Sequence, residues 1–157
     1  MKQQQQQQID PTFGSVMFNE LMMQVLCLSQ PLLKAREFGM QIGGRLASSN
    51  ALVVDECEVL EKVKWICKVF WQDYFGKGAD NLKTNHKDLY VVADLNFALF
   101  RTLSGSGDSG KQFLEAVQEF LSGLFGGLLE KMGVYWNEIE VEANVEACSL
   151  TVSIKTS

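Results

Sequence analysis

Glu138-Ile139-Glu140-Val141-Glu142 and, shortly after, Cys148-Ser149-Leu150-Thr151-Val152-Ser153-Ile154-Lys155 decide the fold. Each run alternates polar with apolar side chains. Successive side chains of a strand point to opposite faces of a sheet, so each run has one apolar and one polar face. Two such runs in close succession form a half-buried antiparallel hairpin. Its apolar face needs helices to cover it. The expected fold is therefore α+β, four main helices packed on a small antiparallel sheet.

Upstream, apolar spacing changes from two to three and four residues. Phe18, Leu21, Met22, Val25 and Leu26 mark a first helix over Val16–Leu28. Its polar side holds little beyond Asn19, Glu20 and Gln24, which implies burial on more than one side, in the core or against a partner. Ser29-Gln30-Pro31 breaks the pattern, and proline suits the first turn of a second helix, Pro31–Leu46. Gly39 and Gly43 share one face of that helix. Each costs about 0.5–1 kcal/mol relative to alanine, so close approach of another backbone is the better explanation than chance.

Asp55, with Glu58 three residues on, can cap a third helix reaching Phe75. Leu60, Val63, Cys67, Phe70 and Tyr74 form one stripe, widened by Trp65, Ile66, Val69 and Trp71, and this is expected to be the central core helix. Gly76 and Gly78 end it. A polar turn over Asn81–His86 leads to a strand at Leu89–Ala93 and then to an ambiguous Asp94–Leu103. After a Gly/Ser/Asp loop at Gly105–Gly110, a fourth helix runs over Lys111–Met132. Gly123, Gly126 and Gly127 interrupt it and again imply close packing.

The chain has 157 residues, which suits one domain with a real core. Residues 1–14 are expected to be a disordered, glutamine-rich leader and residues 15–157 the domain. The leader has no apolar centre or cleavage site of a secretory signal. Apolar runs fall far below the ~20 residues that span a bilayer. A net charge of −5 without a basic face argues against nucleic acid. The four cysteines make no C-x-x-C, which favours buried, reduced thiols in the cytosol.

Catalytic motifs fail on inspection. Gly105-Ser106-Gly107-Asp108-Ser109-Gly110-Lys111 matches the first part of a phosphate-binding loop, but Gln112 stands where a magnesium-holding Ser or Thr is required. A thiol nucleophile would have to use His86, the one histidine, which sits in a polar turn. No Cys/His spacing offers four zinc ligands. Glu138, Glu140 and Glu142 read as a solvated strand face that protects an edge. No catalytic, cofactor or metal residue is assigned. Thr84, Asn85 and His86 read as a structural turn that satisfies backbone groups. The apolar first two helices are where a functional reading competes best with core packing, because large exposed apolar patches mark interaction sites.

An ordered series of motifs resembles a known family. It comprises Phe18, Leu21 and Val25, then Gly39-Met40-Gln41-Ile42-Gly43 with Arg45-Leu46. Leu60, Trp65-Ile66-Cys67-Lys68 and Trp71 follow, then Thr84-Asn85-His86, Tyr90-Val91 and Asp94. Phe113-Leu114, Gly123-Leu124, Gly133 and the terminal hairpin complete it. Together these resemble the small α/β core subunits of the TRAPP (transport protein particle) complex, a vesicle-tethering assembly, and most of all its subunit-six branch. Two positions depart from the pattern. Asp88 stands where the family has glycine two residues after the histidine. Glu56, beside Cys57, stands where the founding subunit carries an acylated cysteine, so a thioester is not expected.

The resemblance implies a non-catalytic building block that forms a heterodimer with the founding-type small subunit through its first two helices. Phe18, Leu21, Met22, Val25, Leu26, Leu32, Leu33, Gly39 and Gly43 are the expected interface. It further implies other TRAPP core subunits as partners and, through the complex, a Rab-type GTPase whose nucleotide exchange the assembly promotes. The location implied is cytosolic, with peripheral association at endoplasmic reticulum and Golgi membranes only through the complex. The competing expectation is a small-molecule or acyl-chain binding domain of the same fold.

Overall fold

The computed structural model describes residues 11–50, 58–100 and 108–157. Asp55, Glu56, Cys57 and Gly105–Gly107 fall outside them. In chain order the elements are α1 (Pro11–Leu26), α2 (Pro31–Asn50), α3 (Val59–Trp65), a π-helical turn (Ile66–Phe70) and α4 (Trp71–Phe75). Strands β1 (Asn81–Thr84) and β2 (Leu89–Asp94), a 3-10 turn (Ala98–Phe100), α5 (Asp108–Lys131), β3 (Trp136–Asn144) and β4 (Ser149–Thr156) complete them. The expected α+β class holds: helices cover one face of an antiparallel sheet ordered β1-β2-β4-β3.

The terminal hairpin is in the register that its alternation requires. Ile139 faces Ile154, Val141 faces Val152 and Ala143 faces Leu150. Tyr90 and Val92 of β2 continue those rows across Ile154 and Val152. These side chains form the covered face, while Glu138, Glu140, Glu142 and Lys155 stand in solvent on the other.

The central helix is α5, not the aromatic third helix that the stripe suggested. Every residue from Phe120 to Leu129 is buried, so α5 is enclosed on more than one side. Its glycines make this possible. A Cβ at Gly39 or Gly43 of α2 would fall on the carbonyl of Phe120 or Leu124, and one at Gly123 or Gly127 of α5 would fall on the carbonyl of Arg36 or Met40. The two helices therefore meet backbone to backbone. On another side Gly126 makes room for Trp136, whose Nε1–H donates to the Gly126 carbonyl at 3.1 Å.

Further differences have local causes. Asn81–Thr84 is not a turn but an edge strand, paired with β2 from Asn81↔Ala93 to Thr84↔Tyr90. Its alternation is polar with half-buried, which hides the strand from a hydrophobicity reading. The aromatic helix is interrupted by its π-turn, an insertion that apolar periodicity does not report; within that turn the Cys67 carbonyl accepts from Ala79 N–H at 2.9 Å. Its N-cap is Glu58, which makes no side-chain capping bond. Helix α5 begins at Asp108 rather than Lys111, so the second half of the phosphate-loop match is helical.

The aromatic side chains of the third helix and α5 fill the space between helices and sheet. Trp71 stacks on Phe125 with ring centres 5.3 Å apart and planes 14° from parallel. Phe97 meets Phe75 at 4.7 Å and Phe100 at 4.9 Å. Such pairs add about 0.5–1.5 kcal/mol beyond the area they bury.

Candidate functional site

The first two helices divide their apolar side chains between the core and solvent. Met22 and Val25 are buried, and Phe18 meets Phe120 of α5 edge-on at 5.3 Å. Leu21 and Leu26 are half-buried against the core. Gly39 and Gly43 lie against the α5 backbone. Of the residues expected to meet a partner, Met22, Val25, Gly39 and Gly43 are thus taken up by internal packing. Leu32 and Leu33 remain open to solvent, and the structure adds Val16, Met17, Met23 and Leu28 beside them. These six side chains are between 39% and 57% exposed. They occupy α1, the start of α2 and the turn between them. That turn is tight: Cys27 N–H donates to the Gln24 carbonyl at 3.1 Å and Leu28 N–H to Val25 at 3.0 Å, and Gln30 takes a φ of 53° before Pro31 opens α2.

Asn85 and His86 lie in the hairpin turn between β1 and β2, and Thr84 ends β1 beside it. The Asn85 side-chain carbonyl accepts from the backbone N–H groups of Lys87, Asp88 and Leu89 at 2.9, 3.1 and 3.0 Å. Thr84 Oγ1 accepts from His86 N–H at 3.0 Å. The left-handed residue of the turn is His86, with φ 58°. Asp88, where the family has glycine, does not take positive φ. Its carboxylate accepts from Asn85 Nδ2 at 2.9 Å, and its carbonyl accepts from Thr156 N–H at 2.8 Å. The turn thus ties β1, β2 and β4 together. His86 is exposed, and its neighbours serve the backbone.

The polar cluster that sequence reasoning missed lies at the other end of β2. The Asp94 carboxylate is fully buried. It accepts from Trp71 Nε1–H at 2.7 Å, Lys77 Nζ at 2.9 Å and Asn96 N–H at 2.9 Å. Lys77 also reaches Asp80 at 3.0 Å. Burial works against the Lys77 charge, but the bonds to Asp94 and Asp80 outweigh it and hold the amine above its ordinary range. Asp80 is held below the usual carboxylate range, first by the Leu95 N–H bonded to it and then by Lys77. Every buried charge here has partners, which is what structural burial requires. The sequence shows an acidic residue directly after the apolar run Leu89–Ala93, which says that Asp94 needs donors but not which residues supply them.

A second missed residue is Lys62 of α3, only 8% exposed. Its amine donates to the Met132 carbonyl at 2.6 Å, just past the end of α5, where a cation suits the helix dipole. Burial pushes the Cys67 thiol up to about 11, with Lys68 drawing it partly back. Among the described residues no group of three or more His, Cys, Asp and Glu could hold a metal ion. None of the helices among them is long and apolar enough to cross a membrane.

These contacts serve packing within the domain, and known proteins give the chain's family. Residues 15–156 match the family model for the transport protein particle (TRAPP) component. Trafficking protein particle complex subunit 6b of Danio rerio is 36% identical over 130 residues, covering 78% of each chain. The human subunit 6A is 35% identical over 125 residues, covering 76% of this chain and 72% of its own. The human subunit 6B is 33% identical over 129 residues, with coverage of 78% and 77%. In fold, the chain is similar to the crystal structure of a Naegleria fowleri trafficking protein particle complex subunit 3 covalently bound to palmitic acid, with a TM-score of 0.77 at 17% identity, over 95% of this chain and 96% of that one. From residue 15 to the terminal hairpin, the chain belongs to the TRAPP component family, in its subunit-six branch.

Proposed function

We propose that this chain is a non-catalytic core subunit that assembles with another small subunit of the family, the founding type, through the solvent face of α1 and α2. The observation that carries the reading is the run of exposed Val16, Met17, Met23, Leu28, Leu32 and Leu33 on one pair of helices. Apolar side chains exposed in this number on two neighbouring helices cost free energy in water, and a partner removes them from it. The assembly so formed promotes nucleotide exchange on a Rab-type GTPase in endoplasmic reticulum-to-Golgi and Golgi traffic. The chain reaches those membranes peripherally, through the complex. The close aromatic packing around Trp71 and Phe125 favours this role over an acyl-chain pocket.

The test is Met23→Asp with Leu33→Asp, both on exposed side chains. The double variant keeps its helical circular dichroism and melting temperature but no longer co-elutes with the co-expressed founding-type subunit. Two interface anchors at roughly 1.5 kcal/mol each weaken the pair about 100-fold. Co-elution at native affinity sinks the interface assignment.

A further inference from the structure

The sheet ends on β3, and half of that strand's main chain faces away from its neighbour. The ladder shows which half. Thr156 N–H donates to the Asp88 carbonyl, on the β2 side. By the strand's period of two, the main-chain groups of Ile154, Val152 and Leu150 point the same way. Those of Lys155, Ser153, Thr151 and Ser149 therefore bond to β3, where they face Glu138, Glu140, Glu142 and Asn144. The N–H and C=O groups of Ile139, Val141 and Ala143 are left pointing outward. Ser122 of α5 agrees with this direction: its hydroxyl donates to the Ile139 carbonyl at 3.2 Å. Among the described residues no strand pairs with the edge at Val141 and Ala143.

Two features beside this edge give it a specificity. Next to Ala143 lies an open hollow of about 360 Å³ between the start of α5 and the β3–β4 turn, with Leu114, Ala143 and Val145 as its apolar lining and Lys111 and Glu146 among its polar residues. On the opposite face of the sheet Glu138, Glu140 and Glu142 stand exposed in a row. A strand added here places alternate side chains toward the hollow and the others beside the glutamates.

We propose that the β3 edge takes up an extended segment of a partner protein by strand addition, and that this segment alternates apolar with basic side chains. The main-chain groups of Val141 and Ala143 supply the bonds. Glu140 and Glu142 select basic neighbours by charge, and the hollow accepts an apolar side chain. Antiparallel pairing with a second copy is disfavoured. Registers that set Val141 against Ala143, Val141 or Ile139 put glutamates of the Glu138–Glu140–Glu142 row directly opposite one another, and like charges so placed are destabilising.

The test uses the full chain and a short fluorescein-labelled peptide in which Lys and Val alternate, read by fluorescence anisotropy. Two control peptides carry the same residues in separate Lys and Val blocks, or the alternating order with N-methylated backbone. The alternating peptide should bind at least about tenfold more tightly than either control, the effect of about two main-chain hydrogen bonds. Ala143→Pro removes an outward N–H without touching the β4 ladder, a position that edge strands tolerate. It and Glu140→Lys/Glu142→Lys should each lose the same factor. Equal binding of the N-methylated peptide would mean charge attraction alone and overturn the proposal, whether or not the proline variant folds. Sedimentation showing a dimer that Ala143→Pro dissolves would overturn it too, by giving the edge to a second copy.

Discussion

Gly43→Ala should destabilise this protein although alanine is the better helix former. In an unhindered helix interior the change adds about 0.5–1 kcal/mol of stability. Here an ideal Cβ at Gly43 lies 2.9 Å from the Leu124 carbonyl carbon and 3.0 Å from Leu128 N, and nearer still to the Leu124 oxygen. Carbon atoms make their best contacts at about 3.5–4.0 Å, so α2 or α5 must move by a large fraction of an ångström. The obstacle is backbone and cannot rotate away. Overpacking of this kind costs about 1–3 kcal/mol, and moving a helix also loosens Gly39, Gly123 and Gly127 at the same crossing. A backbone obstacle puts the cost at the upper end of that range, and less the propensity gained the net expectation is a loss of about 2 kcal/mol. At ~2–4 °C per kcal/mol for a domain of this size, the melting temperature falls by about 4–8 °C. Gly44 is the internal control, since its Cβ would meet only the Lys131 side chain at 3.6 and 3.8 Å. Gly44→Ala should leave the melting temperature unchanged or raise it by ~1–4 °C. Thermal unfolding followed by circular dichroism decides. If Gly43→Ala melts no lower than Gly44→Ala, the backbone-to-backbone crossing is not what these glycines serve.

Asp94→Ala strands the buried Trp71 N–H and removes a partner from Lys77, so it should lose about 3 kcal/mol in urea unfolding; a loss under ~1 kcal/mol would show that water replaces the carboxylate. Asp80 has a folded pKa below its unfolded value. Its contribution is therefore present above the ordinary carboxylate range and lost as pH falls through the folded value, and Asp80→Asn should flatten the acid limb of a melting-temperature profile; parallel limbs for the two proteins count against the Leu95 and Lys77 contacts. The Cys67 thiol, raised by burial, should resist Ellman's reagent at neutral pH in the native chain while exposed Cys27 reacts; peptide mapping that finds Cys67 labelled without unfolding would refute its burial.

The strands that sequence patterning found, and the one it missed, differ in what their side chains meet. The terminal hairpin alternates strongly because β4 is an inner strand and β3 lies against α5, so burial and periodicity coincide. Strand β1 lies at the sheet edge with only half-buried Leu82 and Thr84 on its inner side, and leaves little hydrophobic record. The glycine spacings were legible because few other causes put glycine four apart in a helix. The Asp94 cluster was not, since it joins Trp71, Lys77 and Asp80 from separate elements, and no local pattern announces a contact of that kind. Lys62 shows the same limit: a lysine between Glu61 and Lys64 of α3 reads as surface until the end of α5 is seen above it.

Helix α1 is apolar on most of its surface, and this carries information about the protein. Apolar residues lie on most of its circumference, so periodicity alone could not say which face is inward. The structure turns Met22 and Val25 to the core and leaves Val16, Met17 and Met23 in water. A helix whose only task is to cover its own domain needs one apolar stripe, and random drift on its outer side would favour polar residues there. Apolar side chains on both faces mean two hydrophobic partners, and the domain supplies one. Substitutions to aspartate on the two faces should therefore separate cleanly. Val25→Asp should lower the stability of the isolated chain, because it buries a charge. Met23→Asp should leave that stability within ~0.5 kcal/mol and act on assembly alone. If Met23→Asp destabilises the isolated chain as much as Val25→Asp does, the outer face belongs to this domain's own core and the argument for a partner fails.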